Sequence, residues 1–294
     1  MVNSRDAILK TLLYADIFDF PLNKQEVFEY LISDKKIDKN IIFKNLEIIK
    51  SPIKFHKDYY FILGRQNIID KRIERKKISI KKYKKAIDIL SKLKIIPSVK
   101  LIGISGGLSM RNAHTDDDID IFVITEKKLI WTTRFILIVF LKFFHVYRSK
   151  NSKNVSNKIC LNLILEKSSM EMPSKDIYTA HEVIQLVPVF DRDNTYKDFI
   201  NANIWVKNFL PNANLNRKPY LVLRQSKIQE KIIVLILKLV FLEKILKFLQ
   251  FEFMKRSITK EIIKEGFLGF HPFDYRKYVL RNYVKKLKEF GIKQ

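Results

Sequence analysis

A chain of 294 residues has room for two domains, or three small ones, at roughly 100–200 residues each, and its 47% hydrophobic and 12% aromatic content excludes a disordered polymer. Seven Gly and eight Pro exclude collagen-like and linker-dominated architectures, while the single cysteine, Cys160, excludes a disulfide framework and any zinc site built from cysteines. The net charge of +25, from 56 Lys and Arg against 31 Asp and Glu, favours polyanionic partners such as nucleic acid, nucleotide phosphates or an anionic membrane surface. Lys far outnumbers Arg, and Lys, Ile, Asn and Phe are abundant throughout, as an AT-biased genome produces, so charge alone selects no partner.

The start, MVNSRDAILK, lacks a basic-then-apolar signal pattern, which points to a cytoplasmic chain. Ser4 can cap a helix carrying Ile8, Leu12, Leu13 and Ala15. Pro21 and Leu22 break the chain. Asn23 followed by Glu26 is a capping-box signature for a second helix through Val27, Phe28, Leu31 and Ile32. Asp38 can cap a third, with Ile41, Ile42, Leu46 and Ile49 on one face, ended by Pro52. Residues 53–63 then read as two short strands around a turn at His56–Asp58. Three short helices and a hairpin is the winged-helix order, and it equally suits any small helical domain with a β-ribbon. Lys39, Asn40, Lys44, Asn45 and Lys50 fall on the polar side of the third helix, with Lys54 and Lys57 near the wing, so residues 39–57 are a candidate nucleic-acid surface.

From Ile68 to about Leu93 a Lys- and Arg-dense segment with helical apolar spacing predicts a long linking helix, stopped by Pro97. Strands are predicted at 99–105 and 119–125, a helix at 127–147 and a third strand at 158–165. From Asp176 onward the pattern is read as helical, over 176–186, 195–208, 227–254 and 273–290. In 129–147, a dozen apolar residues at about −0.3 to −0.6 kcal/mol each nearly cancel Arg134 and Lys142 at about +2.5 to +3.5 each. The segment lies between two strands of one sheet, which argues for a core helix and against an integral membrane span. The stretch 232–251 is interrupted by Lys238, Glu243, Lys244 and Lys247 and reads as a packed amphipathic helix, with an interfacial membrane role for 227–254 as the other option.

The segment that carries chemistry is Ser105-Gly106-Gly107-Leu108-Ser109-Met110-Arg111, followed by Asp116-Asp117-Asp118-Ile119-Asp120. Two glycines after a strand let the backbone turn sharply and approach a ligand closely. A short helix starting near Leu108 would aim amides at that turn, and Ser109 and Arg111 suit phosphate oxygens. Asp118 and Asp120 share one face of a strand, with Cα atoms about 6.6 Å apart. Two carboxylates converging to about 5 Å repel by roughly 3 kcal/mol at an effective dielectric of about 20. A divalent cation turns that penalty into attraction, and hard oxygen ligands with open positions suit Mg²⁺ or Mn²⁺ shared with a triphosphate.

This run resembles the signature of the polymerase-beta-type nucleotidyltransferase superfamily: apolar strand, Gly-Gly or Gly-Ser, short helix, Asp-x-Asp on the next strand. The resemblance covers residues 99–165; DIYTAHEVIQLVPVFDRD at 176–193 and Phe270-His271-Pro272 are similar to a group of prokaryotic nucleotidyltransferase-domain proteins that also begin with a winged-helix-like segment. It implies an α+β chain with a small mixed-sheet nucleotidyltransferase core (97–170), an N-terminal winged-helix-like module (1–65), a linking helix (66–96) and a helical C-terminal region (171–294). It also implies transfer of a nucleoside monophosphate from an NTP to a hydroxyl, with pyrophosphate release. Asp118 and Asp120 would hold two Mg²⁺ ions, and Ser105, Gly106, Gly107, Ser109 and Arg111 would bind the nucleotide. The pattern departs at three places: Gly107 stands where Ser is common, Arg111 where Gly is common, and Asn162 where the third carboxylate is expected. Glu166 shares the face of Asn162 by parity and is the candidate substitute; without one, the alternative is an inactive nucleotide-sensing regulator that binds nucleic acid.

Other residues read structurally first. His114 suits a solvated loop, Asp116 and Asp117 a turn, Lys127 and Lys128 a solvated face, and His181-Glu182 packing on a helix; Cys160 reads as a small core residue.

Overall fold

The computed structural model describes residues 4–48, 51–149, 152, 154–223, 228–239, 242–255, 262–270 and 275–292. The chain opens with α1 (Ser4–Asp16), α2 (Lys24–Glu29) and α3 (Lys39–Glu47), then the hairpin β1 (Ile53–His56) and β2 (Tyr59–Ile62). The capping box forms as the sequence demands: the Asn23 side chain accepts from the Glu26 amide and the Glu26 carboxylate accepts from the Asn23 amide. Asp38 likewise accepts from the Asn40 amide at the start of α3. Ile42 and Leu46 are buried on α3 but Ile41 is half exposed, and Ile49 lies outside the described residues, as do the residues before Ser4.

The linking helix α4 (Ile68–Lys92) runs into a turn of 3-10 helix before β3 (Val99–Ile104). There follow α5 (Gly106–Ser109), β4 (Ile119–Thr125), α6 (Ile130–Phe143), β5 (Ile159–Glu166) and α7 (Ile177–Gln185). β4 and β5 are parallel and α6 is the crossover between them. The helix expected over 127–147 thus forms but is shorter at both ends; Ile130, Trp131, Leu137 and Leu141 face the core while Phe135, Val139 and Phe143 are exposed. No described helix is long and apolar enough to cross a membrane.

The remaining elements correct the all-helical reading of 171–294. They are β6 (Val187–Arg192), α8 (Thr195–Ala202), β7 (Leu221–Leu223), α9 (Ile228–Leu239), α10 (Leu242–Lys255), β8 (Ile262–Lys264), β9 (Phe267–Gly269) and α11 (Tyr275–Glu289). Four of these are strands, and all join one mixed sheet of order β7-β6-β3-β4-β5-β9-β8. The sheet therefore draws on residues well beyond 170. Three of the four have only three residues, too short for a period-2 pattern, and β6 carries Pro188.

Alternate residues of the central strands face two cores, as the pleat requires. Leu101, Phe122, Ile124 and Leu165 pack beneath α1, α7, α8 and α11, in one cluster with the N-terminal helices. Ile102, Ile104, Ile121, Val123 and Ile164 pack against α4, α6 and α10. The N-terminal module thus shares its core with one sheet face. Buried Asp16, at the end of α1, binds Arg65 Nε at 2.8 Å and Lys286 Nζ of α11 at 2.6 Å. Glu243 of α10 accepts from the amides of Trp131 and Thr132 at the start of α6, and Glu230 of α9 pairs with fully buried Arg192. The outer faces of α9 and α10 expose Ile232, Leu235, Ile236, Phe248, Leu249 and Phe253.

Candidate functional site

A cavity of about 630 Å³ lies where the glycine turn after β3 and the start of β4 meet α1 and α7. Its floor is built by register. Ser105 donates its amide to the Asp120 carbonyl, which brings the turn over the start of β4, and Asp120 pairs across the sheet with Cys160 of β5. Asp118, Asp120 and Cys160 therefore converge, each offering a ligand atom within 4.8 Å of the others.

Gly106 has φ +61, and a Cβ there would sit 2.7 Å from Asp120 Oδ2. The turn needs glycine both for its backbone conformation and because the carboxylate occupies the space of a side chain. Gly107 has no such need: the nearest atom to a Cβ there would be the Asn112 carbonyl oxygen, at 3.5 Å.

Electrostatically the pair is under load. Burial, then the Asp118 charge, raises the Asp120 carboxyl to about 7, and the Cys160 thiol and Arg148 offset part of that. The Tyr147–Ile159 bridge brings Arg148 alongside β5, and its Nε lies 2.9 Å from Asp118 Oδ2. The contact is out of line for a hydrogen bond, so both atoms are buried without one. Arg148 Nη1 instead donates to Cys160 Sγ at 3.3 Å. Burial and then the two aspartates push the Cys160 thiol up, so it stays protonated and is a weak metal ligand. Two carboxylates, one with an orphaned buried oxygen, form a hard donor set that fits Mg²⁺ or Mn²⁺.

The nominated residues divide. Ser105, Gly106, Gly107, Asp118, Asp120 and Asn162 line the cavity; Ser109, Arg111 and Glu166 do not. The Ser109 hydroxyl donates to the Gly106 carbonyl at 2.8 Å and braces the turn from inside. Arg111 is exposed. α5 is a single turn, so few amides and little dipole face the cavity. Glu166 pairs with Thr125 at the far end of β4, and its carboxylate accepts from Ser168. A bulge at Asn162, between the pairs Ile121–Leu161 and Phe122–Leu163, breaks the parity on which its nomination rested. Asn162 keeps the inward position.

Five residues read as structural from sequence line the cavity: His114, Asp117, Cys160, His181 and Glu182. Glu182 lines the cavity from α7, and burial, then Asp120, raises its carboxyl to about 7. Its neighbour His181 is the packing residue: it stacks on Tyr14 at 4.0 Å and burial lowers it to about 4. Cys160 is part of the floor. Arg75 of α4 also reaches the wall, bonded to Asn112 and the Phe18 carbonyl. His114 lines the rim, its amide donating to Asp117, which serves the turn as expected. Lys127 and Lys128 are exposed. No motif spacing pointed to Glu182; an acid on the apolar face of a helix was its signal.

In the N-terminal module Asn45 donates to Ser4 Oγ, Lys57 pairs with Asp70, and Lys39 lies over the Phe28 and Phe43 rings. Lys50, His271 and Pro272 lie outside the described residues. No family model, curated protein or solved structure matches the chain.

Proposed function

We propose that the chain is a nucleotidyltransferase that moves a nucleoside monophosphate from an NTP to a hydroxyl acceptor. One observation carries this reading: two carboxylates converge beneath a glycine turn in a cavity, and one keeps a buried oxygen without a hydrogen bond. A fold alone has no use for that repulsion on an otherwise apolar strand. Asp118 and Asp120 would hold Mg²⁺ or Mn²⁺, which when bound neutralises triphosphate charge and lowers the acidity barrier of the acceptor hydroxyl.

The chain's own residues do the rest. The Gly106–Gly107 turn lets phosphate oxygens approach backbone, and Arg75 and Arg148 supply positive charge on the same wall. The acceptor oxygen forms its bond to the α-phosphorus as the bond from that phosphorus to the bridging oxygen breaks, and pyrophosphate leaves with the electron pair. The hydroxyl proton passes to Glu182, the carboxylate facing the cavity that is neither paired nor hydrogen-bonded among the described residues. Incubation with α-labelled NTPs and Mg²⁺ or Mn²⁺ tests the reading through labelled product and pyrophosphate. Labelling that survives Asp118→Ala combined with Asp120→Ala overturns it.

Asn162 favours a second reading, an inactive nucleotide-sensing regulator that binds nucleic acid through residues 39–57, because a neutral amide stands at the third inward position. That reading expects nucleotide binding without pyrophosphate release, and nucleic-acid affinity that falls steeply with salt.

A further inference from the structure

A second cavity of about 810 Å³ adjoins the first, on the same side of the sheet. The two share Ser105, Asn162, Tyr178, Glu182 and Tyr275, which form a window between them. At this window the Ser105 hydroxyl is buried with no hydrogen-bond partner, and Ser105 is 8% exposed. The Asn162 amide and the Glu182 carboxylate also make no hydrogen bond among the described residues. The buried Ser105 hydroxyl costs free energy unless a ligand group completes it, and the Asn162 amide and Glu182 carboxylate line both cavities beside it. Donor, acceptor and mixed groups together match a hydroxyl, which both gives and accepts.

Behind the window the wall is apolar, formed by Phe122, Leu163, Val183, Phe199 and Phe267. Arg276 and Arg281, on the first two turns of α11, also line the cavity. Arg276 is held by Asp176, whereas Arg281 is exposed and has no partner among the described residues. Glu182, at the window, is the only acid on the described wall. The chamber thus combines a polar window, an apolar wall and guanidinium groups at its mouth, where Arg281 is exposed, at a volume typical of small-molecule sites.

We infer that this chamber seats the acceptor, and that the acceptor is a small amphipathic anion: a hydroxyl at the Ser105–Asn162–Glu182 window, an apolar or aromatic body along the wall, and a carboxylate or phosphate at the Arg276–Arg281 mouth. The inference rests on the transfer reading in calling the ligand an acceptor; the ligand chemistry rests on the chamber alone. A polycationic acceptor is disfavoured by the guanidinium groups at the mouth.

Photolabelling of the full chain with 4-benzoylbenzoate, an aromatic body bearing one carboxylate, tests it. Adducts mapped by mass spectrometry are expected on the chamber wall, with Met172 a preferred trap. Arg281→Glu, on an exposed position, should weaken half-saturation by roughly five- to tenfold, while labelling by uncharged benzophenone changes less than about twofold. Saturating MgATP should leave the labelling in place. Adducts confined to the exposed faces of α9 and α10, indifference to Arg281→Glu, or displacement by MgATP each overturn the inference. MgATP binding is measured separately by calorimetry: its absence sinks the transfer reading, whatever the label does, and its presence beside an unlabelled chamber sinks the acceptor assignment alone.

Discussion

Gly106 and Gly107 are adjacent and chemically identical, yet the structure gives them opposite sensitivities, and the contrast tests the geometry of the carboxylate floor. At Gly106 an added methyl meets two costs. The backbone has φ +61, where an L side chain costs about 1–2 kcal/mol. The new Cβ would also sit 2.7 Å from Asp120 Oδ2, so the carboxylate must leave its rotamer at about 0.5–1.5 kcal/mol more. Gly106→Ala should therefore destabilise by roughly 2–3 kcal/mol. At Gly107 the new Cβ meets a carbonyl oxygen at 3.5 Å, an ordinary contact, in a helical turn. Gly107→Ala should be neutral or stabilising by up to about 1 kcal/mol. Urea denaturation of both variants in EDTA gives the comparison, provided the slope stays constant. Because Asp120 is the group displaced, Gly106→Ala should also lose Mn²⁺ binding, followed by the free-ion electron paramagnetic signal, and Gly107→Ala should keep it. Equal losses in the two variants, or intact Mn²⁺ binding in Gly106→Ala, would refute the placement of Asp120 beneath the turn.

The pH dependence of the floor has a definite sign. The Asp120 carboxyl is raised from 3.8 to about 7, so between those values the folded chain holds a proton that the unfolded chain has released, and stability falls as pH rises through that window. About three pH units correspond to roughly 4 kcal/mol, so in EDTA Asp120→Asn should gain up to that much over the parent at pH 7.5 and almost nothing near pH 4; a gain independent of pH contradicts the argument. Glu182→Gln should slow pyrophosphate release by about 10²–10⁴-fold with nucleotide affinity unchanged, and the parent rate should climb with pH through about 7 as Glu182 ionises; a variant that keeps the parent rate removes Glu182 from proton transfer. Asp16→Asn breaks the contact that joins α1 to Arg65 and α11. Both cations are partly exposed, so the expected loss is about 2 kcal/mol, below the 3–5 kcal/mol of a fully buried pair, read as a lower denaturation midpoint.

What could be read in advance follows the range of the interactions involved. Asn23 with Glu26, and Asp38 with Asn40, act over two or three residues, and both caps are where the sequence places them. The helix between two strands was legible because its span and the parallel pair it joins are set by consecutive segments. Asp118 and Asp120 converge because the period of a strand is two. Glu166 fails for the same reason inverted: one bulge at Asn162 resets the parity, and nothing in ICLNLIL announces a bulge. β7, β8 and β9 exist only because the sheet edge pairs with them, which three residues cannot signal by themselves. The placement of α1 over the cavity, the window at Glu182 and the approach of Arg148 to Asp118 join segments far apart in the chain, so they were beyond local pattern.

Buried polar atoms without partners occur elsewhere in this molecule, and the difference in kind matters. Arg72, Arg134 and Arg192 each leave only Nε unpaired while their terminal nitrogens are bonded, to Glu26 and the Met110 carbonyl, to Gln250, and to the carbonyls of Lys94 and Pro97 respectively. Those guanidinium groups are satisfied as groups, and one idle N–H is a small residual cost. Around the cavity the unpaired atoms are the whole hydroxyl of Ser105, one oxygen of a charged carboxylate at Asp118 and the Arg148 Nε that faces that oxygen out of line. The raised carboxyls of Asp120 and Glu182 stand in the same space. The hydroxyls of Thr132 on α6 and Tyr283 on α11 are also buried without a partner, and neither lines the cavity, so such groups are not confined to it; what distinguishes the cavity is that Ser105, Asp118 and Arg148 lie together on its lining. Ser105, Asp118 and Arg148, each with a buried unpaired atom, meet the raised carboxyls of Asp120 and Glu182 in one cavity, and it is this grouping from which the proposed binding of a divalent cation and a triphosphate follows.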